Sequence, residues 1–338
     1  MWVCPSCGNR NRDEGRYCDN CAEPRPGAET AYSSIQAYGP GDPQARIVDS
    51  IKNRGGTDLK LSNLWVGLAI LGSFSTGALY LFALVISMFQ IDLGDGTSNL
   101  YSWVFVYGRG LAVAAFGVLF AILAFKLINR LNLHNEREEK LRSAVMALLR
   151  GQPRPQGKEP EIMDQLIALS AFDGQALVYE KKLDAHKWAL IIGLVLIVGG
   201  IASFLQYLIF YRSMNNHYSF WLLEVILSLL ASFLSLAGLI VLLFIANHLM
   251  KTIYTHSVRW HGFTNSTAVA LRKLGFAIDP PRERNPIPER SLVGYAILTI
   301  VTFGLFGFYW LHALINDPSK HFDDQWRFED TLIKALDK

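Results

Sequence analysis

The sequence predicts a mostly α protein: a polytopic helical membrane chain with four or five spans and a candidate re-entrant hairpin, behind a small cysteine-bearing module. Three observations lead there. The 338 residues are 51% hydrophobic and only 18% charged, a balance unusual for a soluble chain of this length. The apolar residues are gathered into blocks of membrane length. All four cysteines, Cys4, Cys7, Cys18 and Cys21, lie at the amino end, ahead of those blocks.

The blocks run Leu64 to Phe89, Ser102 to Leu127, Trp188 to Tyr211, Phe220 to Ala246 and Ser291 to Ile315. A bilayer core of ~30 Å takes about 20 helical residues. Inside it the backbone must satisfy its own polar groups, so each block is expected to be helical. Loop charge sets the orientation. The connection Ile91 to Tyr101 has no Lys or Arg, and Tyr211 to Ser219 has only Arg212. By contrast Lys126 to Lys187 carries eleven and His248 to Arg290 seven. The amino end and both long loops are therefore expected in the cytosol, with short outer turns. Met1-Trp2-Val3-Cys4 lacks the basic start and apolar run of a secretory signal.

The chain divides into a module at 1–26, a flexible linker at 27–62, a first hairpin with its cytosolic helical loop at 63–187, a second with its loop at 188–290, and a carboxyl-terminal membrane segment with an amphipathic helix at 291–338. The linker is rich in Pro, Gly, Ser and Gln, and the stretch Ala45 to Asn53 within it has the composition of a short helix ended by Gly55-Gly56.

In the module, two CxxC turns, CPSC and CDNC, each present two thiolates to one tetrahedral ion. The cofactor expected is Zn2+, held by Cys4, Cys7, Cys18 and Cys21 in a closed structural site. Reduced thiols fit the cytosol better than a disulfide framework.

The ends of the second, fourth and fifth blocks repeat. Leu127-Ile128-Asn129, Leu249-Met250-Lys251 and Leu314-Ile315-Asn316 lead, seven residues after the leucine, to His134, His256 and His321. Each histidine precedes an amphipathic stretch: Leu141 to Leu149, Phe263 to Leu274, and Phe322 to Leu336. In the third copy Asp317 is expected to cap a new helix, with Pro318 at its first position. The front halves also align, Val66 to Leu71 on Val293 to Leu298. The last block holds TFGLFGFYW, whose Gly304 and Gly307 each weaken a helix by about 1 kcal/mol relative to alanine. Two topologies follow: a single span with the tail outside, or a hairpin folding back at the glycines, which places His321 with its counterparts. Matching repeat ends favour the second. The three histidines are expected to mark helix exits at headgroup level, with convergence on a metal or proton site as the alternative.

CPSCGNRNRDEGRYCDNC, with Asn11 and Tyr17, resembles the short prokaryotic zinc ribbon, many of whose members precede membrane segments. Trp2, Cys4, Cys7, Asn11, Cys18 and Cys21 also resemble the frame of the Ran-binding-protein-type zinc finger. RNA-binding members of that family carry a stacking aromatic after the asparagine, whereas this chain has Arg12. The base platform is lost, so nucleic acid is not expected as a partner. The carboxyl end, with TFGLFGFYW, resembles an uncharacterised prokaryotic membrane family marked by a Thr-x-Gly-x-[Tyr/Phe]-Gly-x-Tyr-Trp block; this implies a membrane module and no reaction.

No phosphate loop, dinucleotide fingerprint or nucleophile elbow occurs, and the spacing of His256 and His261 lacks a metalloprotease glutamate. Arg109 and Glu224, near the outer ends of spans two and four, are read as interfacial or structural. The expectation is a non-enzymatic multi-pass protein of the cell membrane, its amino terminus cytoplasmic, whose ribbon docks a protein partner. Transport of a small molecule or ion, with the break at Thr302 to Trp310 as the site, is one alternative. Membrane-tethered RNA binding is the other.

Overall fold

The computed structural model describes residues 2–3, 10–11, 41–71, 94–216, 221–279 and 286–337. The four cysteines lie outside the described residues, and so does most of the first expected span. At the amino end, strand β1 (Trp2–Val3) pairs antiparallel with β2 (Arg10–Asn11), Trp2 opposite Asn11. The remaining elements are helical: α1 (Pro43–Lys52), α2 (Arg54–Thr57), α3 over residues 64–71, α4 (Gly94–Gly151), α5 (Glu159–Tyr179), α6 (Ala185–Asn216), α7 (Trp221–Lys273), α8 (Leu292–Val301) and α9 (Leu305–Leu336).

Three helices are long and apolar enough to cross a membrane, within Ala115–Gly151, Ala185–Leu205 and Leu222–Lys273. Their outer faces are apolar and bare, with Leu190, Leu194 and Ile201 exposed on α6 and Leu229, Phe233 and Ile240 on α7. Between helices, small residues permit close approach, as membrane packing requires. A Cβ on Gly117 of α4 would stand 3.1 Å from Ile197 of α6, and one on Gly238 of α7 would stand 3.2 Å from Val195.

Two of these helices far outrun a bilayer. At 1.5 Å per residue the 58 residues of α4 and 53 of α7 reach about 87 and about 80 Å, against ~30 Å of hydrocarbon. The surplus builds a second layer. Leu141, Val145 and Leu149 from α4, Phe263 and Leu271 from α7, and Phe322, Phe328, Leu332 and Leu336 from α9 are all buried. Most of them share one core with Ile162, Leu166 and Leu169 of α5. The three amphipathic stretches thus pack against one another beneath the spans.

Helix α1 joins the same core. Asp42 caps its amino end, Pro43 takes the first turn, and Ile47 and Ile51 are buried in the second-layer core. Gln44 donates to the terminal carbonyl of Leu336 at 2.8 Å, so α1 closes the end of α9. The tether expected over 27–62 does not extend to these residues: the apolar spacing of the helix read at Ala45 to Asn53 gives it a face to bury.

The last apolar block folds back on itself. Helices α8 and α9 meet at Thr302–Gly304, where Phe303 and Gly304 take left-handed φ values of 51° and 91°. Across the hairpin, Tyr295 contacts the rings of Phe306 and Trp310. The turn satisfies itself: Gly304 N–H donates to Thr299 O at 2.7 Å, and Phe306 N–H to Thr302 Oγ1 at 2.9 Å. Its tip is apolar and bare, Phe303 being 97% exposed. Thr299 O and Thr302 Oγ1 thus take up backbone donors freed at the break, as a helix break among apolar helices needs.

One expectation is corrected. Asp317 does not cap a new helix and Pro318 does not begin one; α9 runs straight through both. A proline inside a helix removes the donor to the carbonyl four residues back, here Leu314 O. The buried Arg130 of α4 replaces it, donating Nη2 to Leu314 O at 2.5 Å and Nη1 to Ile315 O at 3.0 Å. Asp317 instead pairs with Arg290, at 2.7 and 3.0 Å.

Candidate functional site

His134 (α4), His256 (α7) and His321 (α9) meet in the interior. Their ring centroids are 5.0, 5.4 and 4.7 Å apart and their planes cross at 70–82°. All three are buried, and their candidate ligand nitrogens lie within 4.8 Å of one another. Phe322 closes one side, its ring 4.4 Å from that of His134. The common register explains the meeting. In each helix the histidine follows a stretch packed among the spans and precedes one packed in the second layer, so it faces the axis where the layers join.

Charged groups surround the rings. Asp58, just after α2, accepts from His134 Nδ1 at 2.9 Å, from Arg137 Nη2 at 2.8 Å and from Trp326 Nε1 at 2.6 Å. Arg137 also donates Nη1 to Glu329 Oε1 at 2.7 Å. On the other side, Glu138 accepts from Arg142 at 2.5 Å and from Arg259 at 2.9 Å, and Arg259 Nε donates to Glu180 at 2.5 Å. His256 Nδ1 stands 3.1 Å from Glu180 Oε1 and 3.4 Å from Glu138 Oε2. Lys60 and Arg54 lie over the Trp326 ring at 4.7 and 5.0 Å.

The balance of burial and partners decides each charge. Burial opposes the Asp58 carboxylate, but the hydrogen bond and charge of His134, together with Arg137 and Trp326, hold it below the ordinary range. Burial likewise opposes Glu138, and Arg142 and Arg259 hold it well below. Burial pushes His134 and His321 down, toward the neutral imidazole.

Glu329 differs. Arg137 is shared with Asp58, and Glu329 Oε2 has no hydrogen-bond partner among the described residues. Burial lifts its pKa from 4.5 to about 7, against the pull of Arg137 and Gln325. The native protein thus keeps a proton that the unfolded chain releases above 4.5. The stability tied to that proton is complete below pH 4.5 and is lost as pH rises through about 7. Glu329→Gln is expected to flatten the fall in melting temperature between pH 5 and 8.

The burial of the three histidines overturns their expected place at headgroup level and fits the alternative of convergence, and their carboxylate partners carry no sequence signal. No carboxylate recurs at a fixed spacing from the histidines, because Asp58 and Glu180 arrive from other elements. The one local signal was arginine three residues after the first two histidines, Arg137 and Arg259. Of the other sequence candidates, Cys4, Cys7, Cys18, Cys21 and the side chain of Arg109 lie outside the described residues. Glu224 Oε1 is buried with no hydrogen-bond partner among the described residues.

Comparison of the chain with models of protein families, with curated proteins and with solved structures found no match.

Proposed function

We propose that the chain is a non-enzymatic, multi-pass protein of the cell membrane in which a cytosolic zinc ribbon, held by Cys4, Cys7, Cys18 and Cys21, docks a protein partner. In this reading the buried histidine hub couples that module to the membrane helices. The observation that supports it is Asp58. It lies in the segment leading from the ribbon to the first span, yet its side chain is fully buried and bonds α4 through His134 and Arg137 and α9 through Trp326. A pull on the amino-terminal segment therefore reaches the point where the helix ends converge. The apolar hairpin α8–α9, dipping into lipid and returning, brings the third helix end to the same side.

Proximity labelling in cells tests the docking role by comparing the full chain with one lacking residues 1–30. At least one cytosolic partner is expected to disappear from the shortened chain. An unchanged set of partners, from a shortened chain that still reaches the membrane, removes the ribbon from the function.

A further inference from the structure

We propose that His134, His256 and His321 bind a divalent transition-metal ion of the zinc class, with Asp58 orienting His134 from behind and a water or small anion completing the coordination. This centre is separate from the cysteine ribbon.

His134 Nδ1 faces the Asp58 carboxylate at 2.9 Å, so it carries hydrogen and leaves Nε2 as a lone pair. His256 Nδ1 lies among two carboxylates, Glu180 Oε1 at 3.1 Å and Glu138 Oε2 at 3.4 Å, and a guanidinium donor, Arg259 Nη2 at 3.1 Å. Arg259 Nη2 also donates to both oxygens of Glu138. His134 Nε2 and His256 Nε2 face each other 3.0 Å apart, a separation at which a proton or a bound cation must lie between them. A metal ion in that space takes one lone pair from each ring. Into the same space comes His321, whose buried Nε2 has no hydrogen-bond partner among the described residues.

The geometry suits a metal. Nitrogens bound at about 2.0–2.1 Å to a tetrahedral ion stand roughly 3.3 Å from one another. His134 and His256 are already near that, and the third ring closes by a movement on the order of an ångström. A carboxylate behind a histidine ligand fixes its tautomer and raises its basicity, the role Asp58 fills for His134. Three imidazoles select zinc-class ions over magnesium or calcium, which take oxygen. A second group, Glu138, Glu180 and His256, is also close enough to hold an ion. Its carboxylates already hold Arg142 and Arg259, which an ion would have to displace. Each repeat contributes one ligand, so the metal would staple the three helix ends together.

The test is titration of the full chain, purified in detergent and stripped by chelator, with cobalt(II) and then zinc. Cobalt on thiolates shows a charge-transfer absorption that cobalt on imidazoles lacks. The expected result is a thiolate-type equivalent from the ribbon and a further equivalent without that absorption. His321→Cys is expected to add a thiolate absorption to the second class, a gain that misfolding does not produce. Asp58→Asn is expected to weaken the second class by about 10- to 100-fold and leave the first unchanged. Cobalt bound without any wild-type thiolate signal, yet responsive to His321→Cys, supports the hub and sinks the ribbon. A single thiolate-type equivalent, no larger in His321→Cys than in wild type, in chains that keep helicity and melting temperature, overturns the proposal and leaves a proton shared by His134 and His256.

Discussion

Replacing Arg137 by methionine is expected to destabilise the second layer by about 3–5 kcal/mol, read as the loss of unfolding free energy in detergent. Arg137 is buried and serves two buried carboxylates at once, Asp58 at 2.8 and 3.2 Å and Glu329 at 2.7 Å. Methionine fills much of the volume but leaves both acids without their cation. Glu329 already sits near neutrality at about 7, so it is the group that takes a proton first, and the loss is expected to deepen as pH rises. Two further variants sharpen the result. Arg137→Lys keeps the charge but not the fork that reaches both acids, and is expected to fall between methionine and wild type. Glu329→Gln in the methionine background is expected to recover part of the loss. A cost below about 1 kcal/mol would place the interaction among ordinary surface pairs and contradict the burial of the network.

The second large effect concerns Arg130 and Pro318. Arg130→Met is expected to cost about 2–4 kcal/mol, because the carbonyls of Leu314 and Ile315 lose charged donors inside the protein. Pro318→Ala alone restores the missing N–H and removes a helix breaker from α9. In combination the alanine is expected to rescue Arg130→Met, since the helix then satisfies Leu314 itself. The coupling from a double-mutant cycle is expected to exceed 1 kcal/mol. Strict additivity would mean that the guanidinium does not stand in for the proline's absent donor.

How far the chain could be read in advance depended on the range of the forces involved. Helices of membrane length follow from apolar blocks, and the three apolar helices among the described residues fall on the second, third and fourth of those blocks. The pattern Leu-x₆-His recurs because each helix must turn one residue inward where the two layers join, and that constraint is local enough to show in sequence. The fold-back at Thr302–Gly304 was legible from its two glycines, although the alternative of a single span had the same composition. What stayed hidden was pairwise and distant. Asp58 sits 76 residues from His134 and had no neighbouring pattern to mark it. The continuity of α9 through Pro318 is hidden for the same reason, since the donor that permits it comes from Arg130, 184 residues before Leu314. Local rules say where a helix should stop; only the packed partner says why it continues.

The histidine hub requires that the chain return at Thr302–Gly304 and place the end of the third repeat beside the start of the first span. Asn63 and Asn316 report on this directly: Asn316 Nδ2 donates to Asn63 Oδ1 at 2.8 Å, both at the surface. If residues 291–315 crossed the bilayer once, these two positions would lie on opposite faces of the membrane. With the four ribbon cysteines replaced by serine, Asn63→Cys and Asn316→Cys together are expected to form an intramolecular link in intact membranes with a short bifunctional maleimide. Failure to link, with each cysteine labelled by an impermeant reagent from a different side, contradicts the hairpin and the convergence of the three histidines with it.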